Sequence, residues 1–423
     1  MAKIKNLVLG GGISGLAFSN YQQTATNCVI IEQDLRAGGL CKSHTVGESV
    51  FDYSGHFLHY DGHEELKDEL GLTDMESHIR TAAIAWKAGT KDQRIIDYPF
   101  QANIHQLPED VFMKCLTDLY YVGTSNVMPT LKDRVYKTLG AGIATEFFEP
   151  YIKKLYQTNL EDLDGNSMAR FLPDVTFRNV MDNISGKNVK LGYNSKFLYD
   201  TTYGANRIVM ALNEGVDRGY ASTKVIEIDL ERKEVITHNN RVFNYENLIS
   251  SIPLDKFMEL ANLPDILNLK SVDVEVYNFT FTTDVTPECN KGLNWIYYPD
   301  ENIPFYRVGF YNHVNGTEKT SIYVEISRQR SADLKHRVLH QSEVVEALMK
   351  YGVIEPHAIV QDELELKISP AYVILENTDE VETFKTALEL THDVHMIGRF
   401  GRWIYSSMLD DIEYAKQLSL KLQ

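Results

Sequence analysis

The sequence predicts an α/β fold: a discontinuous Rossmann-like nucleotide-binding domain, an inserted helical region and an antiparallel sheet. Three observations carry this. Near the start, Leu7-Val8-Leu9 is an apolar run long enough for one buried parallel strand, and Gly10, Gly12 and Gly15 follow it as G-x-G-x-x-G before a helix beginning near Leu16. From residue 71 to about 200 the apolar spacing is mainly helical, as in Val111–Tyr121 and Ala144–Tyr156. From Val272 to Glu325 the pattern alternates, as in Val274-Glu275-Val276-Tyr277-Asn278-Phe279, which predicts an antiparallel sheet with one covered face.

The fingerprint needs each glycine for its own reason. Gly10 makes the tight turn, Gly12 lets a pyrophosphate approach the backbone, and Gly15 lets helix and strand pack closely. The phosphates then meet free N–H groups at the helix start, around Ile13 and Ser14. A second apolar strand, Cys28–Ile31, ends in Glu32, about twenty residues on, where a ribose-binding acid belongs. Arg36, Gly38 and Gly39 suggest a second backbone loop near phosphate, with Arg36 as counter-charge. The stretch is expected to bind a dinucleotide.

Composition narrows the class. A chain of 423 residues suits two interleaved domains better than one core. Its 43% hydrophobic and 24% charged content is that of a soluble globular protein, and no apolar run approaches a membrane span. Met1–Asn6 leads straight into a strand, leaving no room for a signal peptide. The four cysteines show no C-x-x-C spacing and read as reduced thiols, which with the absent signal predicts a cytoplasmic location. A net charge of −17 argues against nucleic acid and anionic membrane as partners, and leaves room for an anionic small molecule met by a few local arginines.

Along the chain, Val50-Phe51-Asp52-Tyr53-Ser54-Gly55-His56-Phe57-Leu58 ends a strand in a small-residue loop. His56, His59 and His63 lack the cysteine or paired carboxylate that would complete a metal set, so no metal site is expected. Glu64–Leu70 reads as a helix. Tyr98-Pro99-Phe100-Gln101-Ala102-Asn103 reads either as a structural loop or as a clamp that stacks on a flat base while its amides bond the edge. Gly204–Gly215 is a predicted helix, followed by a hairpin through Ser222–Leu230 and Glu234–Val242 and a return to the nucleotide sheet at Leu248–Pro253. Gln341–Tyr351 is helical; Val394–Trp403 is a short strand with a glycine turn, and Asp410–Leu422 a final helix. The nucleotide domain is thus expected in three pieces, 1–70, 201–255 and 391–423, with the helical insertion at 71–200 and the sheet at 256–390.

The fingerprint with Glu32, the Arg36/Gly38/Gly39 loop and the late Gly398-Arg399 turn together resemble the flavoprotein amine oxidase superfamily. Within it, several motifs are similar to the UDP-galactopyranose mutase family, especially its eukaryotic-type branch. These are Phe51-Asp52-Tyr53-Ser54-Gly55-His56, Tyr98-Pro99-Phe100-Gln101, Pro150–Tyr156 with Arg170 after it, Trp295–Pro299 through Pro304–Arg307, and Gly398-Arg399-Phe400-Gly401-Arg402-Trp403-Ile404-Tyr405. Some positions depart from that pattern. Ser54 stands where the family's loop has its first glycine, Ile152 and Tyr156 replace an asparagine and a tryptophan, and Val314 replaces a tyrosine, with Tyr311 one strand-face repeat earlier. Ser406–Asp411 follows the amine-oxidase-like relatives instead.

The resemblance implies a Rossmann-like FAD-binding domain with a substrate-binding antiparallel sheet, and FAD held non-covalently and active when reduced. It extends the cofactor set to Gln33, Leu40, Gly55, His56, Val225, Ser251, Gly398, Arg399, Met408 and Leu409. It implies nucleotide-sugar contacts from Tyr98, Phe100, Gln101, Asn103, Arg170, Trp295, Tyr297, Arg307, Tyr311, Tyr372 and Tyr405. Among these, Arg307 and Arg170 would stabilise a departing diphosphate and His56 would sit by the flavin ring. The implied reaction is interconversion of the pyranose and furanose forms of a UDP-sugar by nucleophilic flavin catalysis, with no net redox. An external reductant such as NAD(P)H and a homo-oligomer are both compatible with the sequence. Two other functions fit less of it: an amine-oxidase-like dehydrogenase, and a flavin-binding protein without turnover.

Overall fold

The computed structural model describes residues 3–22, 28–123, 127–167, 175–187, 195–214, 219–329, 338–376 and 378–423. The apolar run that opens the sequence is the centre of the first sheet. Ile4–Leu9 pairs in parallel with Cys28–Ile31 on one side and Val242–Ser250 on the other. Gly219–Tyr220 extends the sheet beyond Cys28–Ile31, and Val394–Met396 borders the second half of Val242–Ser250, both in parallel. The first half of Val242–Ser250 instead carries the antiparallel hairpin Val225–Asp229/Glu234–Thr237. Successive strand residues point to opposite faces. Leu7 and Leu9 therefore pack with Leu248, Phe257 and Val394, while Val8 packs with Leu16, Phe18 and Ile412 on the other side. The chain order reverses between Ile4–Leu9 and Val242–Ser250, which opens a crevice at the carboxyl ends of those strands.

The second sheet runs in the spatial order Val360–Ile374, Lys270–Phe281, Ser321–Gln329, Arg307–Phe310, Trp295–Tyr297, Ala82–Trp86, Arg94–Asp97. Every neighbouring pair is antiparallel except Trp295–Tyr297 with Ala82–Trp86. Three expectations are corrected here. The sheet is covered on both faces: Val272, Val274 and Val276 join the core beneath the helical insertion, while Tyr277, Phe279 and Phe281 join a second core behind it. The charges in that alternation, Asp273 and Glu275, are buried acids paired with Lys367 and Arg328 from the neighbouring strands. Secondly, the segment expected to be mainly helical contains the strands Glu76–Ile79, Ala82–Trp86, Arg94–Asp97 and Lys196–Tyr199. Ala82–Trp86 is buried at every position, and a doubly covered strand reads as a plain apolar run without period. Thirdly, the late glycine turn is a short helix, Gly398–Arg402, between Val394–Met396 and the last helix Met408–Lys421. No helix among the described residues is long and apolar enough to cross a membrane.

Candidate active site

At the crevice, Gly10 N–H donates to the Ile31 carbonyl and Gly38 N–H to the Gly11 carbonyl, so the two glycine turns are tied to each other. Helix Ile13–Asn20 starts at Gly12 with no side-chain cap and no acid in its first turn, leaving its first N–H groups free for an anion. Two glycines here have opposite surroundings. A Cβ on Gly12 would meet nothing within 4 Å, whereas one on Gly15 would overlap the Gly10 carbonyl oxygen. Gly12 is therefore the open side, where a phosphate can approach, and Gly15 the packed side.

These turns form the floor of a cavity of about 420 Å³. Gly10, Gly12, Ile13, Ser14, Glu32, Gln33, Gly38, Gly39 and Leu40 line one end. His56, Val225, Ser251, Gly398, Arg399 and Met408 line the rest. Glu32 accepts from Gly11 N at 2.6 Å and Asp34 N at 2.8 Å, which fixes its carboxylate at the cavity edge. Four sequence-chosen residues lie elsewhere. Gly15 serves packing, and Leu409, in the first turn of the last helix, is fully buried in the core. Gly55 lines the neighbouring cavity. Arg36 is exposed and donates to the Ser43 carbonyl at 3.4 Å, so it is not a counter-charge in the cavity wall.

That neighbouring cavity, about 170 Å³, shares Leu40, His56, Arg399 and Met408 with the first. Its own wall includes Ser54, Arg307, Glu325, Tyr306, Tyr372 and Tyr405. Strand pairing places Arg307 opposite Glu325 on adjacent antiparallel strands. Arg307 Nε and Nη2 donate to the two Glu325 oxygens, the Nη2 bond at 2.7 Å, a fork-on-carboxylate pair with Glu325 only 2% exposed. Ser54 Oγ also donates to Glu325 and accepts from Arg307 Nη2 at 3.3 Å. Tyr306 and Tyr372 hydroxyls meet at 3.4 Å, and Tyr372 stacks on Tyr405 with centroids 6.2 Å apart. Arg399 lies 4.6 Å from the centre of the Tyr405 ring and donates through Nε to the Ser406 carbonyl at 3.1 Å.

Electrostatics at this junction are set by burial. It pushes His56 down to about 4, with Arg399 and Arg307 adding to the shift, and its buried Nδ1 has no hydrogen-bond partner among the described residues. Burial likewise pushes His59 down to about 4. Both imidazoles are neutral near pH 7, so the cations of the wall are arginines.

The expected base clamp is not assembled as foreseen. Phe100 is fully buried and stacked on Phe147, 5.0 Å away, and Gln101 is 1% exposed. Asn103 Nδ2 donates to the Asp97 and Pro99 carbonyls, both at 3.1 Å, which closes its own loop. Tyr311 is likewise internal, donating to Asn278 at 3.1 Å and accepting from Asp52 N at 3.2 Å. Trp295 is 5% exposed against Phe57, in the core. Tyr98 and Tyr297 stay partly exposed, their rings 5.7 Å apart with Arg80 over Tyr98. Arg170 lies outside the described residues.

Sequence reasoning missed Glu325, Ser54 as a bonding partner, Tyr306, and Asp411, which accepts from Arg399 N at 3.1 Å. Glu325 carried a readable signal: a lone acid inside Ser321-Ile-Tyr-Val-Glu325-Ile-Ser327, an otherwise apolar strand, needs a cation opposite.

Residues 8–70 match the NAD(P)-binding Rossmann-like domain family. Over the whole chain, the fold is similar to a crystal structure of reduced UDP-galactopyranose mutase, with TM-score 0.87 and 21% identity, covering 100% of this chain and 95% of that one. It is also similar to putrescine oxidase bound to putrescine, with TM-score 0.67, 12% identity and coverage of 100% and 99%. The CLA-producing fatty acid isomerase from P. acnes gives TM-score 0.66, 13% identity and coverage of 99% and 98%. The shared fold spans a mutase, an oxidase and an isomerase, so chemistry has to be argued from the site.

Proposed function

We propose that the chain is an FAD-dependent enzyme that interconverts the pyranose and furanose forms of a UDP-linked sugar of galactose-like class. The observation that carries this reading is the junction of the two cavities: Arg307, Tyr372 and Tyr405 face a small polar space that meets the dinucleotide cavity at Leu40, His56, Arg399 and Met408. The residues present fit FAD. Gly12 leaves an open approach to a helix N-terminus, Glu32 is held at the cavity edge, and His56 lines the cavity with a buried Nδ1 that has no partner among the described residues. In this reading 1–70, 201–255 and 391–423 form the cofactor domain, 256–390 with the strands Ala82–Trp86 and Arg94–Asp97 the substrate sheet, and the rest of 71–200 an insertion beside it.

Reduced flavin, held by the residues above, would supply a nucleophile toward the anomeric carbon with no net redox. The chain's own residues do the rest. The Arg307 donors not engaged by Glu325 stabilise negative charge on the departing diphosphate, with Tyr405 beside them. Arginine suits this because its planar fork stays charged and offers several directed N–H groups at once. Neutral His56 keeps a polar atom near the ring without adding charge. Tyr98 and Tyr297, the partly exposed aromatics, replace the buried Phe100 as candidates for the base. The partners are then a nucleotide-sugar and an external reductant such as NAD(P)H.

A second reading, an amine-oxidase-like oxidoreductase, is favoured by one observation: Phe100 and Asn103 are committed to core and loop. One experiment separates the two. The protein should purify yellow with acid-releasable FAD, and after dithionite reduction it should convert UDP-galactose, UDP-N-acetylgalactosamine or UDP-arabinose to a furanose product seen by chromatography, without consuming reductant. Stoichiometric loss of reductant, or turnover only with oxidised flavin, would favour the oxidoreductase. A colourless protein without affinity for FAD would end both.

A further inference from the structure

Ser54 has a backbone conformation unlike that of any other non-glycine among the described residues. Its φ is 84°, whereas the other non-glycines with positive φ lie between 46° and 61°, in or near the ordinary left-handed well. A serine elsewhere, Ser222, sits in that well at 51°. Position 54 is thus strained for any side chain and free of strain only for glycine. Strain held in place this way calls for a compensating role of the side chain, and the contacts supply one.

The hydroxyl is 3% exposed with its residue and lines the small cavity. It donates to Glu325 Oε1 and accepts from Arg307 Nη2 at 3.3 Å and from Gly55 N at 2.5 Å. The Ser54 carbonyl accepts from His56 N at 2.8 Å. One residue therefore touches both halves of the ion pair and the loop that brings His56 to the junction. A carboxylate facing only an arginine can slide or rotate along the guanidinium edge. With Oε1 also held by a hydroxyl fixed to the loop, Glu325 has one orientation, and Arg307 presents one set of N–H groups to the cavity.

We infer that Ser54 is a positioning residue, which sets the direction of the Arg307 donors through Glu325. Its effect on nucleotide binding rests on the function proposed above; its effect on the ion pair does not. The test uses the full-length, FAD-loaded protein and the variants Ser54→Gly and Ser54→Ala. Ser54→Gly removes the strain together with the hydroxyl, so its melting temperature should be equal to or above the parent's, and any functional loss cannot be assigned to misfolding. The Arg307 Nε–H resonance, identified by its absence in Arg307→Lys, should be sharp and slow to exchange in the parent. It should broaden or exchange several-fold faster in both variants. UDP affinity should fall about tenfold, the scale of one lost charge-assisted hydrogen bond. An unchanged Arg307 resonance in Ser54→Gly would overturn the inference, and so would UDP affinity equal to the parent's when the parent binds UDP. A parent that binds no UDP would overturn the nucleotide-sugar reading alone, and the resonance would still decide the role of Ser54.

Discussion

Arg307 and Glu325 face one another across adjacent antiparallel strands, with both carboxylate oxygens taken up by one guanidinium. The pair forms part of a cavity wall, with Glu325 almost completely buried and Arg307 about a fifth exposed at 21%. The arginine neutralises a buried acid, and in the function proposed above its remaining N–H groups serve a diphosphate.

Arg307→Ala should therefore fail in two measurements. Leaving Glu325 buried without its partner should cost about 3–5 kcal/mol of unfolding free energy in urea. Diphosphate binding, followed by UDP calorimetry on the FAD-loaded protein, should weaken by about 2–5 kcal/mol. The double variant Arg307→Met/Glu325→Leu should regain much of the stability and none of the binding. Recovery of both together would make the arginine a purely structural member of the pair.

Gly12→Ala and Gly15→Ala should part company. At Gly12 the added methyl meets no protein atom within 4 Å, so the apoprotein should fold with unchanged melting temperature and lose FAD affinity. At Gly15 it overlaps backbone, so soluble, folded protein should fall sharply. Gly12→Ala that still retains FAD through gel filtration would move the phosphate site elsewhere.

Phe100→Ala should be a core truncation, costing about 3–5 kcal/mol by the lost ring and the cavity it leaves. With Phe147 stacked on it, the ring has its own structural occupation. Tyr297→Ala should instead weaken UDP binding with a smaller loss of stability. Equal UDP weakening in both variants would restore Phe100 to the base site.

Stability against pH should show opposing contributions. His56 and His59 sit near 4 in the folded chain, below the ordinary histidine value of 6.5. The unfolded chain therefore takes up protons first, and their stabilising contribution, complete above pH 6.5, is lost as pH falls toward 4. Asp52 runs the other way: burial raises it from 3.8 to about 6, so its contribution is complete below 3.8 and lost as pH rises through about 6. In urea midpoints taken from pH 7 to 4, His59→Gln should shallow the acid loss and Asp52→Asn should steepen it. Parallel curves for all three proteins would refute these environments.

The sequence made the nucleotide sheet legible because glycine spacing and a buried strand are local signals, readable within a few residues. Gly10, at φ 93°, and Gly15 are where the turn and the close packing demand them. What stayed hidden depended on what lies across the fold. Phe100 reads the same whether a base or Phe147 stacks on it. Arg36 beside two glycines suggests a phosphate, yet its side chain reaches Ser43 instead. Alternating charges in Lys270–Phe281 look like a wet face until Arg328 and Lys367 arrive from neighbouring strands. Ala82–Trp86 had no period to read, since a strand covered on both sides needs none.

The position of Val394–Met396 has a consequence for biogenesis. That strand borders Leu248–Ser250 and introduces Gly398 and Arg399, which line the dinucleotide cavity, yet the entire antiparallel sheet precedes it in the order of synthesis. While the ribosome is still translating the second sheet, Leu248–Ser250 presents a bare hydrogen-bonding edge, and the pocket has no floor at that end. Such an edge invites pairing with another nascent chain. Under the proposed function the cofactor cavity is complete only once Gly398 and Arg399 have been made, so yield in a cell should depend on chaperone supply during elongation as well as on flavin supply.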